Sequence, residues 1–211
     1  MDDALRKNRK LTVDMVKREL IRSAAKKLFA ESGIEGTSVR EIARLAGYTT
    51  GAIYFHYANK EELYADILRD SMDRLFIDVN KSLPVNGEPI AKLVAGFRAL
   101  VRFYDENPRD LDLSLYLLNG ARPRGLTPAL NKELNKKMRL LLDVYRTELS
   151  RAGIAEARLN VEVAGLFNEM IGSLVAAHTG RLKVIGTDLA TVVEHHTANL
   201  ADRLSKTKRR S

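Results

Sequence analysis

The chain has 211 residues, 45% hydrophobic and 29% charged, with no cysteine and a formal net charge of +8. That length and apolar content exclude a disordered chain and leave room for one large or two small domains. The missing cysteine excludes a disulfide framework and a thiolate metal site, which suits a reducing cytoplasm. The basic balance points to a polyanionic partner, and the excess charge sits at the two ends: residues 1–64 carry 12 Lys or Arg against 9 Asp or Glu, and residues 206–211 add four more cations.

In chain order, the first dozen residues, MDDALRKNRKLT, hold Arg6, Lys7, Arg9 and Lys10. They read as a basic arm, either following a minor groove or serving as a disordered solubilising extension. Their acidic then basic start has no apolar core and is not a signal-peptide pattern. A first helix is expected from about Thr12 to Ser32, with Leu20, Ile21, Ala24, Ala25, Leu28 and Phe29 on one face and Gly33 closing it.

The stretch from Ser38 to Lys60, SVREIARLAGYTTGAIYFHYANK, is the most informative segment. Ser38 with Glu41 is a Ser-x-x-Glu capping box, so a helix starts there. Val39, Ile42, Ala43 and Ala46 give it one apolar face, and Gly47 stands where a left-handed terminating residue is wanted. After about three residues Thr49 offers a second N-cap, and Ile53 and Tyr57 form the next inward face. Two short helices joined by a tight glycine turn are the helix-turn-helix signature. Asn59 with Glu62 starts a further helix, which places Lys60 in its first turn, where free N–H groups and the helix dipole favour a phosphate.

That helix continues through Leu63, Ile67, Leu68 and Leu75 toward Val79 and reads as a linking element over 61–83. LPVNGEP, Pro84 to Pro89, is the break beside a domain boundary. Helices are then expected at about 89–105, 110–120, 128–152, 159–180 and 188–205. Their punctuation is Asn107-Pro108, Arg122-Pro123-Arg124-Gly125, Thr127-Pro128, Gly153 and Gly180. The fold class is therefore all-α, with about nine helices. Val161 to Ala177 is interrupted by Glu162, Asn168 and Glu169, which makes it a core or interface helix rather than a membrane span. The polar or aromatic residues Phe97, Phe103, Tyr116, Asn119, Tyr145, Asn168 and His178, set among apolar helical stretches, are the candidates for lining a ligand cavity.

The Ser38–Lys60 segment resembles the DNA-binding domain of the TetR family of bacterial transcription regulators. The likeness rests on the Gly47 turn, Gly51 followed by a small residue, Ile53, Tyr54, His56, Tyr57, Lys60 and Leu63, matched without a gap and extending over roughly the first 70 residues. It implies an arm and helix-turn-helix domain over 1–60, a helical ligand-binding and dimerisation domain over 84–205, and a basic tail at 206–211. By the same resemblance the DNA-binding residues are Arg40, Thr49, Thr50, Gly51, Tyr54, His56 and Lys60. Thr50 and Tyr54, at the reading end of the helix, are the preferred base readers, with Arg40 a further one; His56, Lys60 and the Tyr54 hydroxyl are expected to hold phosphates. The last two long helices would form a homodimer, with Gly165, Gly172 and Ala176 permitting close approach. The expected partners are double-stranded DNA, a second copy and an unidentified small-molecule effector, with no cofactor and no membrane, in a bacterial cytoplasm. The expected activity is that of an operator-binding repressor released by its effector.

Two other classes compete with this reading. An enzyme would need a catalytic constellation, but His195 and His196 are adjacent and point to different faces, and no HExxH or glycine-rich phosphate loop occurs. The second alternative is a DNA-binding protein of the same fold that acts without a small effector, as an architectural or partner-binding factor.

Overall fold

The computed structural model describes residues 2–116 and 126–208, and the described residues form ten helices and no strand. They are α1 (Asp2–Ser32), α2 (Val39–Ala46), α3 (Thr50–Tyr54), α4 (Lys60–Ser82), α5 (Pro89–Glu106), α6 (Pro108–Tyr116), α7 (Pro128–Arg151), α8 (Glu156–His178), α9 (Arg181–Ile185) and α10 (Leu189–Lys208). The all-α expectation is met. The helix absent from the sequence reading is α9, five residues between Gly180 and Gly186, both in left-handed conformations.

One expectation is corrected. The basic N-terminal dozen is not an extended arm: α1 begins at Asp2 and runs unbroken to Ser32. Leucine, arginine and lysine are good helix formers, and no glycine or proline interrupts the run before Gly33. The segment lacks an apolar stripe because it buries nothing; from Leu5 to Val16 every residue except Asp14 is exposed. Asn119 and the Arg122–Gly125 punctuation lie outside the described residues, as do Arg209 and Arg210 of the basic tail.

The chain divides into two compact units, Met1–Ser71 with Arg109–Leu134 and Met72–Pro108 with Asn135–Ser211. The first unit gathers Ile21, Ala25 and Phe29 of α1, Ile42 and Ala43 of α2, Ile53 of α3 and Leu63, Tyr64 and Leu68 of α4 into one apolar core. Each such large side chain contributes roughly 1.5–3 kcal/mol by leaving water. Phe29 and Tyr64 meet edge to face at 5.4 Å. The Tyr64 hydroxyl donates to the Leu113 carbonyl, and Lys26 pairs with the buried Asp110 carboxylate at 2.6 Å, tying α6 to α1 and α4.

In the second unit α5, α8 and α10 pack together. Phe97, Leu100, Leu166, Met170, Leu174, Leu200 and Leu204 lie in its core. The Tyr145 hydroxyl of α7 donates to the Gly96 carbonyl at 2.9 Å, and burial pushes its pKa up. A Cβ on Gly96 would stand 3.3 Å from the Tyr145 ring, so the glycine makes room for the aromatic. On α8 the nearly buried Glu162 carboxylate is held at 2.9 Å by both Arg158 and Arg203.

Gly47 ends α2 with φ 73° and ψ 29°, and nothing lies within 4 Å of where its Cβ would be. A side chain there meets a backbone penalty and no clash. Gly47→Ala should therefore lower the unfolding free energy by about 1–2 kcal/mol, and Gly47→Asn by less, because asparagine tolerates the left-handed region. Urea denaturation of the two variants against wild type checks the ranking.

Candidate nucleic-acid interface

The local chemistry around α2 and α3 is close to what the residues dictate. The Ser38 hydroxyl accepts from the Glu41 amide at 3.2 Å while the Glu41 carboxylate accepts from the Ser38 amide at 2.9 Å. Hydrogen bonds from the Ser38 side chain and backbone, with the nearby Arg44 charge, hold the Glu41 carboxyl below its ordinary pKa. Past Gly47 the Tyr48 amide donates to the Ala43 carbonyl at 2.9 Å, which closes the helix end. Thr49, in an extended conformation, caps α3 by accepting from the Ala52 amide at 3.2 Å. Asn59 likewise takes the Glu62 amide at 2.8 Å at the start of α4.

The helix so placed is only five residues long, and its two faces differ. Ile53 and, just beyond it, Tyr57 are buried. Thr49, Thr50 and Gly51 are exposed, Tyr54 is 55% exposed and Phe55 78% exposed. Arg40, in the first turn of α2, is exposed as well. The outward side of α3 therefore presents hydroxyls, a bare glycine backbone and an aromatic edge, and α2 contributes an exposed arginine. These are groups that can donate to and accept from base edges and phosphate oxygens.

His56 and Lys60 are more enclosed than the others. The His56 ring is half-buried between Phe55, 5.0 Å away, and Tyr57, and its Nε2 is buried with no hydrogen-bond partner. The Lys60 ammonium donates to the carbonyls of Ile34 and Thr37, at 2.8 and 3.3 Å. It thus secures the connection between α1 and α2, and an ammonium has three donors, so one is left for an outside acceptor.

The sequence reading treated Tyr57 as a plain inward aromatic. In the structure its hydroxyl accepts from Arg18 Nε at 3.0 Å and donates to Asp66 Oδ2 at 2.8 Å. Arg18 Nη2 reaches Asp66 Oδ1 at 2.8 Å, and Arg69 approaches the same oxygen at 3.3 Å. The hydrogen bond to Tyr57 is the main cause raising the Arg18 pKa; burial pushes the Tyr57 hydroxyl up to about 12. These three side chains clamp α1 to α4 across the end of α3. Lys17, one residue earlier, lies over the Tyr48 ring at 5.4 Å. Separations of 39 and 48 residues leave no periodic signal by which sequence could find the clamp.

The remaining candidates do not converge. Phe97, Phe103 and Tyr145 are buried in the second unit, and Arg74 lies 5.5 Å over the Phe103 ring. Asn168, expected among inward-facing groups, is instead exposed on α8, because the buried positions of that helix are Leu159, Glu162, Leu166, Met170, Ser173 and Leu174. His178 Nε2 stands 3.3 Å from Asp105. The Tyr116 side chain and all of Asn119 lie outside the described residues. A groove between α8 and α10 is lined by Glu162, Gly165, Leu166, Glu169, His196, Asn199, Leu200 and Arg203; of the dimer candidates it includes Gly165. Gly172 is exposed and Ala176 half-buried on the same helix. Among the described residues there is no group of three or more side chains suited to a metal ion, and no helix long and apolar enough to cross a membrane.

Residues 21–67 match the family model described as bacterial regulatory proteins, tetR family. An 81-residue stretch is 38% identical to the HTH-type transcriptional repressor KstR2 of Mycolicibacterium smegmatis, covering 38% of this chain and 39% of that protein. The chain thus spans about two fifths of the length of that curated relative. A bacterial regulatory protein of the tetR family from Rhodococcus RHA1 superposes with a TM-score of 0.74 at 18% identity, over 89% of this chain and 96% of that one. AibR, solved in complex with isovaleryl coenzyme A and operator DNA, superposes at 0.69 and 20% identity, over 86% and 96%. At these identities the structural likeness is one of fold.

Tyr57→Phe removes both hydrogen bonds of the Tyr57 hydroxyl while keeping the ring and the Arg18–Asp66 pair. It should cost about 1–2 kcal/mol at neutral pH. Because the fold favours the neutral hydroxyl, the Tyr57 contribution is whole below pH 10 and is lost as pH rises from 10 toward 12. Denaturation profiles over that range should therefore fall less steeply for the variant than for wild type.

Proposed function

We propose that this chain, which belongs to the TetR family of bacterial regulatory proteins through residues 21–67, is a sequence-specific transcription repressor that binds a palindromic operator as a homodimer and is released by a small molecule. The observation that carries the DNA reading is the two-faced α3: Ile53 and Tyr57 anchor its back, and Thr49, Thr50, Gly51 and Tyr54 stand outward, with Arg40 exposed on α2. Arg40 and Thr50 read base edges in this account. The Tyr54 hydroxyl and the spare donor of Lys60 hold phosphates, and His56 joins them through the Nδ1 side of its ring.

Homodimerisation would use α8 and α10. In support, Gly165 and Gly172 are exposed on α8, and a Cβ added at either would meet nothing within 4 Å, which leaves room for a second helix to come close. Two-fold pairing also suits DNA, since two recognition helices about one turn apart read a palindrome. The domain scheme follows: 1–60 for DNA, 61–83 as the link and 84–205 for effector and dimer contacts.

The effector reading places the ligand among the buried aromatics Phe97, Phe103 and Tyr145, with His178 at the edge. A ligand shifts the protein toward a DNA-incompetent state only through its higher affinity for that state. Acyl thioesters of the kind named for AibR are the first class to try. One observation favours the rival, a DNA-binding factor of this fold without an effector: Tyr145 already fills the space against Gly96.

Selection of bound duplexes from random DNA tests the reading. The expected result is a palindrome, bound less tightly as salt rises, whose base preferences blur in Thr50→Ala and Arg40→Ala. Tyr54→Ala should weaken every sequence by a similar factor. Enrichment of no motif, or of an asymmetric one, would contradict the dimeric operator; release of the selected duplex by an acyl thioester would set aside the rival.

A further inference from the structure

Helix α1 carries more than the domain core needs. Its buried residues begin at Ile21, and the preceding turns from Leu5 to Val16 stand out from the first unit with only Asp14 partly covered. At about 1.5 Å per residue, the span from Arg6 to Lys17 projects roughly 16 Å.

The projection has a direction. At about 100° per residue, Arg6, Lys10 and Lys17 fall within about 40° of one another around the helix, whereas Lys7 and Arg9 lie about 80° to either side. Lys17 fixes where that stripe points, because its ammonium lies over the ring of Tyr48, and Tyr48 immediately precedes Thr49, the cap of the reading helix. The side of the projection turned away from the stripe carries Leu11 and Met15, both exposed.

We infer that the N-terminal turns of α1 form a rigid basic rail that grips DNA phosphates flanking the half-site read by α3. The inference rests on the DNA-binding reading above. A helix with side chains is about 10–12 Å across and the minor groove about 6 Å wide, so the segment does not enter that groove as an extended arm would. It lies along the backbone and neutralises phosphates through Arg6 and Lys10. Its contribution is independent of sequence and present only where the duplex continues past the half-site.

The test compares wild type, Arg6→Gln with Lys10→Gln, and a control of equal charge, Lys7→Gln with Arg9→Gln. Affinity for the selected operator is measured over a series of salt concentrations, on a duplex with long flanks and on one trimmed at the half-site edges. All four positions are exposed, and circular dichroism verifies that α1 is intact. With flanks present, the rail variant should lose about 0.9 from the slope of log affinity against log salt per phosphate contact, close to 2 per chain. The control should keep the wild-type slope, and trimming should bring wild type down to the rail variant. A rail variant with an unchanged slope, a control that falls equally, or a wild type indifferent to trimming would overturn the rail while leaving operator binding standing. A wild type that binds no duplex would overturn the parent reading and the rail together.

Discussion

A five-residue helix cannot hold itself in water, because forming the first turn costs more than so few hydrogen bonds return. The placing of α3 and of its outward side chains therefore depends on what pins it from behind. That pin has an apolar part, Ile53 and the Tyr57 ring, and a polar part, the Tyr57 hydroxyl set between Arg18 and Asp66. The polar part joins residues of α1 and α4 at the point where the chain leaves α3. Because the hydroxyl both accepts and donates, either lost partner leaves a buried polar group to be rehydrated or stranded. Lys60 reinforces the frame by holding the carbonyls of Ile34 and Thr37 between α1 and α2.

This arrangement separates the residues that hold α3 in place from those it turns outward. Arg18, Tyr57 and Asp66 are spent on each other; Thr49, Thr50, Gly51, Tyr54 and Arg40 are exposed and contribute little to the core. Such a division lets the outward surface change while the frame stays. Phe55, exposed beside them, enlarges that surface with an aromatic face that the sequence reading passed over.

Legibility in sequence followed the range of the interaction. The Ser38–Glu41 box, the Gly47 terminator, the Thr49 cap and the Asn59–Glu62 start were readable because each is settled within four residues. The helical nature of residues 2–11 was not, since apolar period was the signal sought and a projecting helix has no core to imprint one. Helix α9 escaped because five residues between two glycines look like a turn. The clamp and the Lys60 contacts join groups 9 to 48 residues apart, which only the folded chain brings together. Asn168 misled for a related reason: its neighbours are apolar, and the sequence does not say which of them faces inward.

Amide hydrogen exchange of the end of α3 tests most directly whether the clamp holds the reading helix. The amides of Phe55, His56 and Tyr57 donate to the carbonyls of Gly51 and Ile53, so their protection reports α3 itself. In Tyr57→Phe these amides should lose protection by about tenfold, the equivalent of ~1.4 kcal/mol, while amides of α10 in the other unit keep theirs. Unchanged protection in α3, or an equal loss in both places, would contradict the account.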